Sequence, residues 1–153
     1  MAVSLKPKFK KADIERIVLE RMMRIESAVL MRLQRVGENF ITNARNLGEY
    51  TDQTGNLRSS KGYVVLRNGV QYANGGFEQV KGGSAGKIAG NAALSEAMQK
   101  FPTGLVLICV AGMDYAAAVE AKGKDVLTGS SLIATQELKK ALKEISRKIE
   151  TMR

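Results

Sequence analysis

Few residues in this chain have the types and spacing that chemistry requires. The nearest approach is Gly82-Gly83-Ser84-Ala85-Gly86-Lys87-Ile88, where a lysine follows a glycine as it does in a phosphate-cradling loop. That loop needs an earlier glycine, four residues removed from the Gly-Lys pair, and Lys81 stands at that place. It also needs Ser or Thr after the lysine to hold magnesium, and Ile88 stands there. The segment therefore reads as an adaptable loop and not as a nucleotide site. Histidine is absent, which removes the commonest general base and the commonest metal ligand. The single cysteine, Cys109, sits inside an apolar run and reads as a buried structural thiol. No catalytic residue, metal site or cofactor is expected.

The elements around these residues are easier to read. Leu105 to Val110 is an unbroken apolar run, which predicts a central strand buried on both faces. Asp114 offers a helix N-cap, Tyr115 to Ala121 supplies two helical turns, and Gly123 stands where a C-terminal cap is wanted. A long helix is predicted from an N-cap at Asp13 to about Leu47. Its stripe includes Ile14, Ile17, Val18, Met22, Ile25, Val29, Leu33, Val36, Phe40 and Ala44. Gly37 is a weak point inside it. Met22, Met23, Leu30 and Met31 add apolar surface that a contact with another subunit would use. After a polar connection, Lys61–Arg67 and Val70–Phe77 flank Asn68-Gly69, a strong hairpin signal.

Residues 78–103 are rich in Gly, Ala and Ser and read as a long loop with a short helix over 91–100. Thr128, Ser130 and Ser131 are candidate caps for a final helix. Its stripe runs through Leu138, Ala141, Leu142, Ile145, Ile149 and Met152. The order predicts one α+β domain over 12–153, with an antiparallel sheet packed by the N-terminal and C-terminal helices, behind a flexible basic arm over 1–11.

Charge is uneven. The net charge is +9. Residues 1–47 hold ten Lys/Arg against five Asp/Glu, residues 48–130 eight against seven, and residues 131–153 six against three. Both ends are basic, which suits phosphate or an acidic partner. The candidates for nucleic-acid contact are Lys6, Lys8, Lys10 and Lys11 in the arm and Lys139, Lys140 and Lys143 in the last helix. No helix-turn-helix or zinc signature accompanies them, and aromatic content is only 5%, too little for a base-stacking platform. No signal peptide is expected after Met1 to Lys11, and the longest apolar run is too short to span a bilayer.

Two patches carry a resemblance. One is Thr54-Gly55-Asn56-Leu57-Arg58-Ser59-Ser60, between the long helix and the hairpin. The other is Tyr115-Ala116 with Val119-Glu120 and Gly123, directly after a strand. Their pattern and spacing resemble the tail-completion or neck proteins of long-tailed bacteriophages, often grouped as minor tail or minor capsid components. Where that family carries a Pro-rich, aromatic segment before the last helix, this chain has Lys124 to Ser131. The resemblance implies a non-enzymatic virion protein assembled in the host cytoplasm. It implies a homo-oligomeric ring of six copies at the head–tail junction, in contact with other neck and tail proteins and threaded by DNA. Residue by residue, Thr54 and Gly55 are expected to make a turn, and Leu57 to anchor in the core. Arg58 is expected to point outward to a carboxylate, with Glu120 either its partner, the partner of a neighbouring subunit, or a locally satisfied surface glutamate. Tyr115 is expected to bury its ring and leave its hydroxyl at an edge. Contact with DNA is expected to be weak and sequence-independent. The alternative is a basic DNA-binding protein without enzymatic activity.

Overall fold

The computed structural model describes residues 6–151. The elements are α1 (Lys11–Asn46), α2 (Asn56–Ser59), β1 (Lys61–Arg67), β2 (Val70–Gly76), α3 (Ser84–Met98), β3 (Leu105–Ala111), α4 (Ala116–Ala121) and α5 (Thr128–Thr151). The fold is α+β. A three-stranded antiparallel sheet of order β2-β1-β3 lies between α1 with α5 on one face and α3 on the other.

The order of the strands corrects the sequence reading. The apolar run at 105–110 is an edge strand, and the central strand is β1. Every residue from Lys61 to Leu66 is buried, whereas in β3 only Ile108 is. An apolar run records that both faces of a strand are covered; it says nothing about whether both edges are paired. Both faces of β3 are indeed covered. Leu105, Leu107 and Cys109 pack toward Leu33, Phe40 and Leu138, while Val106, Ile108 and Val110 pack toward Leu94.

The residues at 78–103 are also not a long loop. Ser84–Met98 is a 15-residue helix. Its glycines, which suggested a loop, permit close packing: a Cβ at Gly90 would strike the Phe77 ring and the Ser60 carbonyl. Gly37 has the same explanation in α1, where the Tyr63 ring lies across the helix at the position a Cβ would occupy. The hairpin forms as expected, with Asn68 and Gly69 both at positive φ. Its second strand ends at Gly76, since Phe77 turns away at φ +55°.

The long helix runs 36 residues. Its N-cap is Lys10 rather than Asp13. Asp13 sits three residues in and accepts a hydrogen bond from the Lys10 N–H at 3.0 Å. Lys6, Lys8 and Lys10 precede it, exposed, and Lys11 opens the helix instead of ending an arm. The rest of that arm, residues 1–5, and Met152 of the last helix's stripe lie outside the described residues.

The helices α1 and α5 run antiparallel. Asn39 donates to Glu137 at 3.1 Å, Arg32 pairs with Glu144 at 3.4 Å, and Ile149 lies beside Arg24 and Ile25. Residues 11–23 of α1 extend past this contact by roughly 20 Å, at 1.5 Å per residue. Ile14, Ile17, Val18 and Met22 are exposed there.

Candidate functional site

The two patches singled out by the resemblance meet at one end of the sheet. Leu57, Ala116 and Val126 form a small buried cluster, with Tyr50, Met113, Val119 and Leu127 packed around it. Leu57 anchors as expected, at 2% exposure. Gly55 takes φ +79° at the start of α2, and the Thr54 hydroxyl accepts the Asn56 N–H at 3.3 Å, so the expected turn is there. Gly123, at φ +73°, ends α4. Its N–H donates to the Glu120 carbonyl, and the Lys124 N–H to the Val119 carbonyl, the two bonds of a Schellman cap.

Glu120 does not meet Arg58. Its carboxylate accepts the backbone N–H groups of Val126 at 3.0 Å, Leu127 at 2.9 Å and Thr128 at 3.4 Å. These donors lead into α5, where the helix dipole favours a negative charge. Burial pushes the Glu120 carboxyl up, but the Thr128 side chain and the three N–H donors outweigh it and hold its pKa below the ordinary value. Asp125 adds a second oxygen, accepting the Gly129 N–H at 3.0 Å. Carboxylates therefore take the place expected of Thr128, Ser130 and Ser131. Ser130 is fully buried with its hydroxyl unpartnered. Nor does Asp114 cap α4; Tyr115 occupies that position without a side-chain bond.

Arg58 lies over the Tyr50 ring, 5.4 Å from its centre, and donates its backbone N–H to Asp52 at 2.9 Å. Tyr115 is 42% exposed rather than buried. Burial and the nearby Asp52 raise its pKa.

The residue that ties these parts together is one the sequence reading treated only as the start of a strand. Lys61 is fully buried. Its ammonium donates to the Ala44 carbonyl in the last turn of α1 and to the Val126 carbonyl, the latter at 2.7 Å, and it lies 5.1 Å from the centre of the Tyr50 ring. A helix leaves its last four carbonyls without partners, and Lys61 supplies one. The same nitrogen fastens the link between α4 and α5. Burial, helped by Arg58, lowers its pKa to about 8 against the pull of Asp125, Glu120 and Asp52. An amine so enclosed has no face open to a substrate; its geometry is that of a clamp. The signal available in the sequence was a lysine set directly against the apolar run Gly62-Tyr63-Val64-Val65-Leu66.

The remaining predicted residues are not brought together. Lys139, Lys140 and Lys143 are exposed along α5, apart from the patches. Lys87 is exposed on α3. Burial raises the Cys109 thiol to about 12, far from a reactive thiolate. Among the described residues no group of three or more His, Cys, Asp or Glu could hold a metal, and no helix is long and apolar enough to cross a membrane.

Compared with protein-family models, with curated proteins and with solved structures, the chain matches none.

Proposed function

We propose that this chain is a structural subunit of the head–tail junction of a long-tailed phage, a neck or tail-completion component that assembles as a ring through which DNA passes. The observation that carries the reading is the convergence of the two resemblance patches. Residues 54–60 and 115–123 are far apart in sequence and meet in one buried cluster, where Leu57 packs with Ala116 and Glu120 secures the start of α5. Two motifs that build one joint are better grounds for a resemblance than two isolated matches. The projecting end of α1 adds support, since exposed Ile14, Ile17, Val18 and Met22 suit contact with another chain. A ring uses head-to-tail interfaces that close by rotation, and six copies is the number the resemblance implies.

The test has two parts. Native mass measurement and electron microscopy of the purified protein should give a closed multi-subunit ring, and mass spectrometry of purified virions from the source host should find the chain. A strict monomer absent from virions contradicts the proposal. Titration with unrelated DNA duplexes of equal length should give weak binding that falls steeply with salt, as counterion release requires. Nanomolar, sequence-selective binding at physiological salt favours the DNA-binding alternative.

A further inference from the structure

A groove follows the seam between α1 and α5. At one end Arg24, Ile25, Ala28, Ile145, Lys148 and Ile149 line a cavity of about 220 Å³. At the other, Arg35, Val36, Lys140 and Ala141 line one of about 250 Å³. Arg32 and Glu144 line both, so the two form one continuous channel. On α1 it reaches from Arg24 to Asn39, roughly 22 Å at 1.5 Å per residue.

Its floor and its rim differ in chemistry. Ile25, Ala28 and Ile145 are half-buried in the seam, and Ile149 is 42% exposed. The rim carries five cations, Arg24, Arg32, Arg35, Lys140 and Lys148, against two anions, Glu137 and Glu144. Both anions are engaged within the seam. Glu144 pairs with Arg32 at 3.4 Å, and Glu137 accepts the Asn39 amide at 3.1 Å. Arg24, Arg35, Lys140 and Lys148 are exposed and form no ion pair among the described residues. Like charges along one channel repel, and a partner of opposite sign relieves them.

We propose that the seam receives an amphipathic helix of a different protein, one whose apolar stripe is flanked by glutamate or aspartate. The proposal stands apart from the ring reading, because the seam is complete in a single chain. Two antiparallel helices leave a groove into which the ridges of a third can pack, as in a helical bundle. The length of the channel suits a partner helix of about fifteen residues. Its apolar stripe covers Ile25, Ala28, Ile145 and Ile149, and its acidic flanks meet Arg24 and Lys148 at one end and Arg35 and Lys140 at the other. A second copy of this chain does not supply such a helix. In α1 seven Lys/Arg stand against five Asp/Glu, in α5 five against three, and in α3 one against one, so none of the three long helices brings negative charge. A nucleic-acid backbone satisfies the rim alone. Phosphates gain nothing from the isoleucines, and no aromatic side chain lines the seam to stack a base.

The probe is a synthetic helical peptide with a leucine stripe and glutamate flanks, compared with the same peptide carrying lysine flanks. NMR titration should move the methyl signals of Ile25, Ile145 and Ile149 and leave that of Ile108, in the sheet, in place. The glutamate peptide should bind about tenfold more tightly than the lysine peptide or better. Arg24→Glu with Lys148→Glu, both at exposed positions, should reverse that preference. Should that pair unfold the chain, Arg35→Glu with Lys140→Glu replaces it with the same expectation. Ile149→Ser, at unchanged charge, should weaken the glutamate peptide about tenfold. Lys87→Glu with Lys100→Glu makes the same change of charge at exposed positions on and just beyond α3, and should leave affinity unchanged. If it weakens binding as much as the seam pair, net charge alone is responsible and the proposal falls. Equal binding of the two peptides, or shifts away from the seam, also overturns it. Duplex DNA that displaces the glutamate peptide, and whose own binding is lost in Arg24→Glu with Lys148→Glu, overturns it in favour of a phosphate-binding seam.

Discussion

The strands β1 and β3 each have seven residues and pair with each other along their whole length, but they differ in composition and surroundings. The central strand begins with a lysine, contains a tyrosine and ends with an arginine; Lys61 and Tyr63 are nonetheless at most 2% exposed. The edge strand has no charged residue and is for the most part only half-buried. Burial here follows position in the sheet rather than hydrophobicity. The polar residues of β1 are tolerated because each has a partner. Lys61 has two carbonyls, and the Tyr63 hydroxyl reaches Glu38 at 3.4 Å. Arg67, at the exposed end, pairs with Glu26 at 2.7 Å. The apolar side chains of β3 pack on both faces of the sheet, while among the described residues its outer edge pairs with no further strand.

The contrast can be broken most sharply by putting a charge in each strand. Val64, at 0% exposure, has no route to water. Val64→Asp should cost more than about 4 kcal/mol and prevent folding, since an unpaired buried charge is among the most destabilising changes. The same change at Val106, near the open edge, should cost about 1–3 kcal/mol and leave a folded chain with a lower Tm. Equal loss at the two positions would erase the distinction.

Lys61→Met comes next. It leaves the Ala44 and Val126 carbonyls unpaired and should cost about 2 kcal/mol, as buried polar groups do when they lose a partner. It should also remove a pH dependence. The folded pKa of Lys61, about 8, lies below the ordinary lysine value of 10.5. Between these the unfolded chain keeps a proton that the folded chain has released. Wild-type stability should therefore rise from pH 8 toward 10, and denaturant melts of Lys61→Met should lack that rise. An unchanged slope would show that Lys61 is not the group responsible.

Glu120→Gln sharpens the contrast at the joint that Lys61 clamps. Loss of the charge facing three N–H donors should cost about 1 kcal/mol at neutral pH. Because the folded pKa of Glu120 is depressed below the ordinary glutamate value of 4.5, its contribution is present above that value and lost as pH falls through the folded pKa. The variant and the wild type should therefore converge in acid. The smallest effect is expected from Lys87→Ala on exposed α3, within about 0.5 kcal/mol and with no saturable ATP binding to lose.

Much of the fold was legible in the sequence, for reasons these residues make plain. The long stripe of α1, the Asn68-Gly69 turn and the Gly123 cap are local signals, written within a few residues of where they act. The order of the strands is not local. It depends on which element covers which edge, and the apolar run of β3 is compatible with either position. The helix α3 was hidden because its glycines serve packing partners distant in sequence, such as Phe77 for Gly90. The same holds at the candidate site. Leu57 and the Thr54-Gly55 turn were readable, but the acceptors of Lys61 and the donors to Glu120 are backbone groups, which leave no mark on the sequence.

The most direct test of the central claim, that β1 is the strand paired on both sides and β3 an edge, is amide hydrogen exchange on the dilute wild-type protein. The amides of Tyr63, Val64 and Val65 in β1 should be slow throughout, because that strand is paired on both sides. The outward amides of Leu105, Leu107 and Cys109 should exchange quickly, together with those of Asn74 and Gly76. If the outward amides of β3 are as slow as those of β1, β3 is not an open edge of the sheet and the account fails.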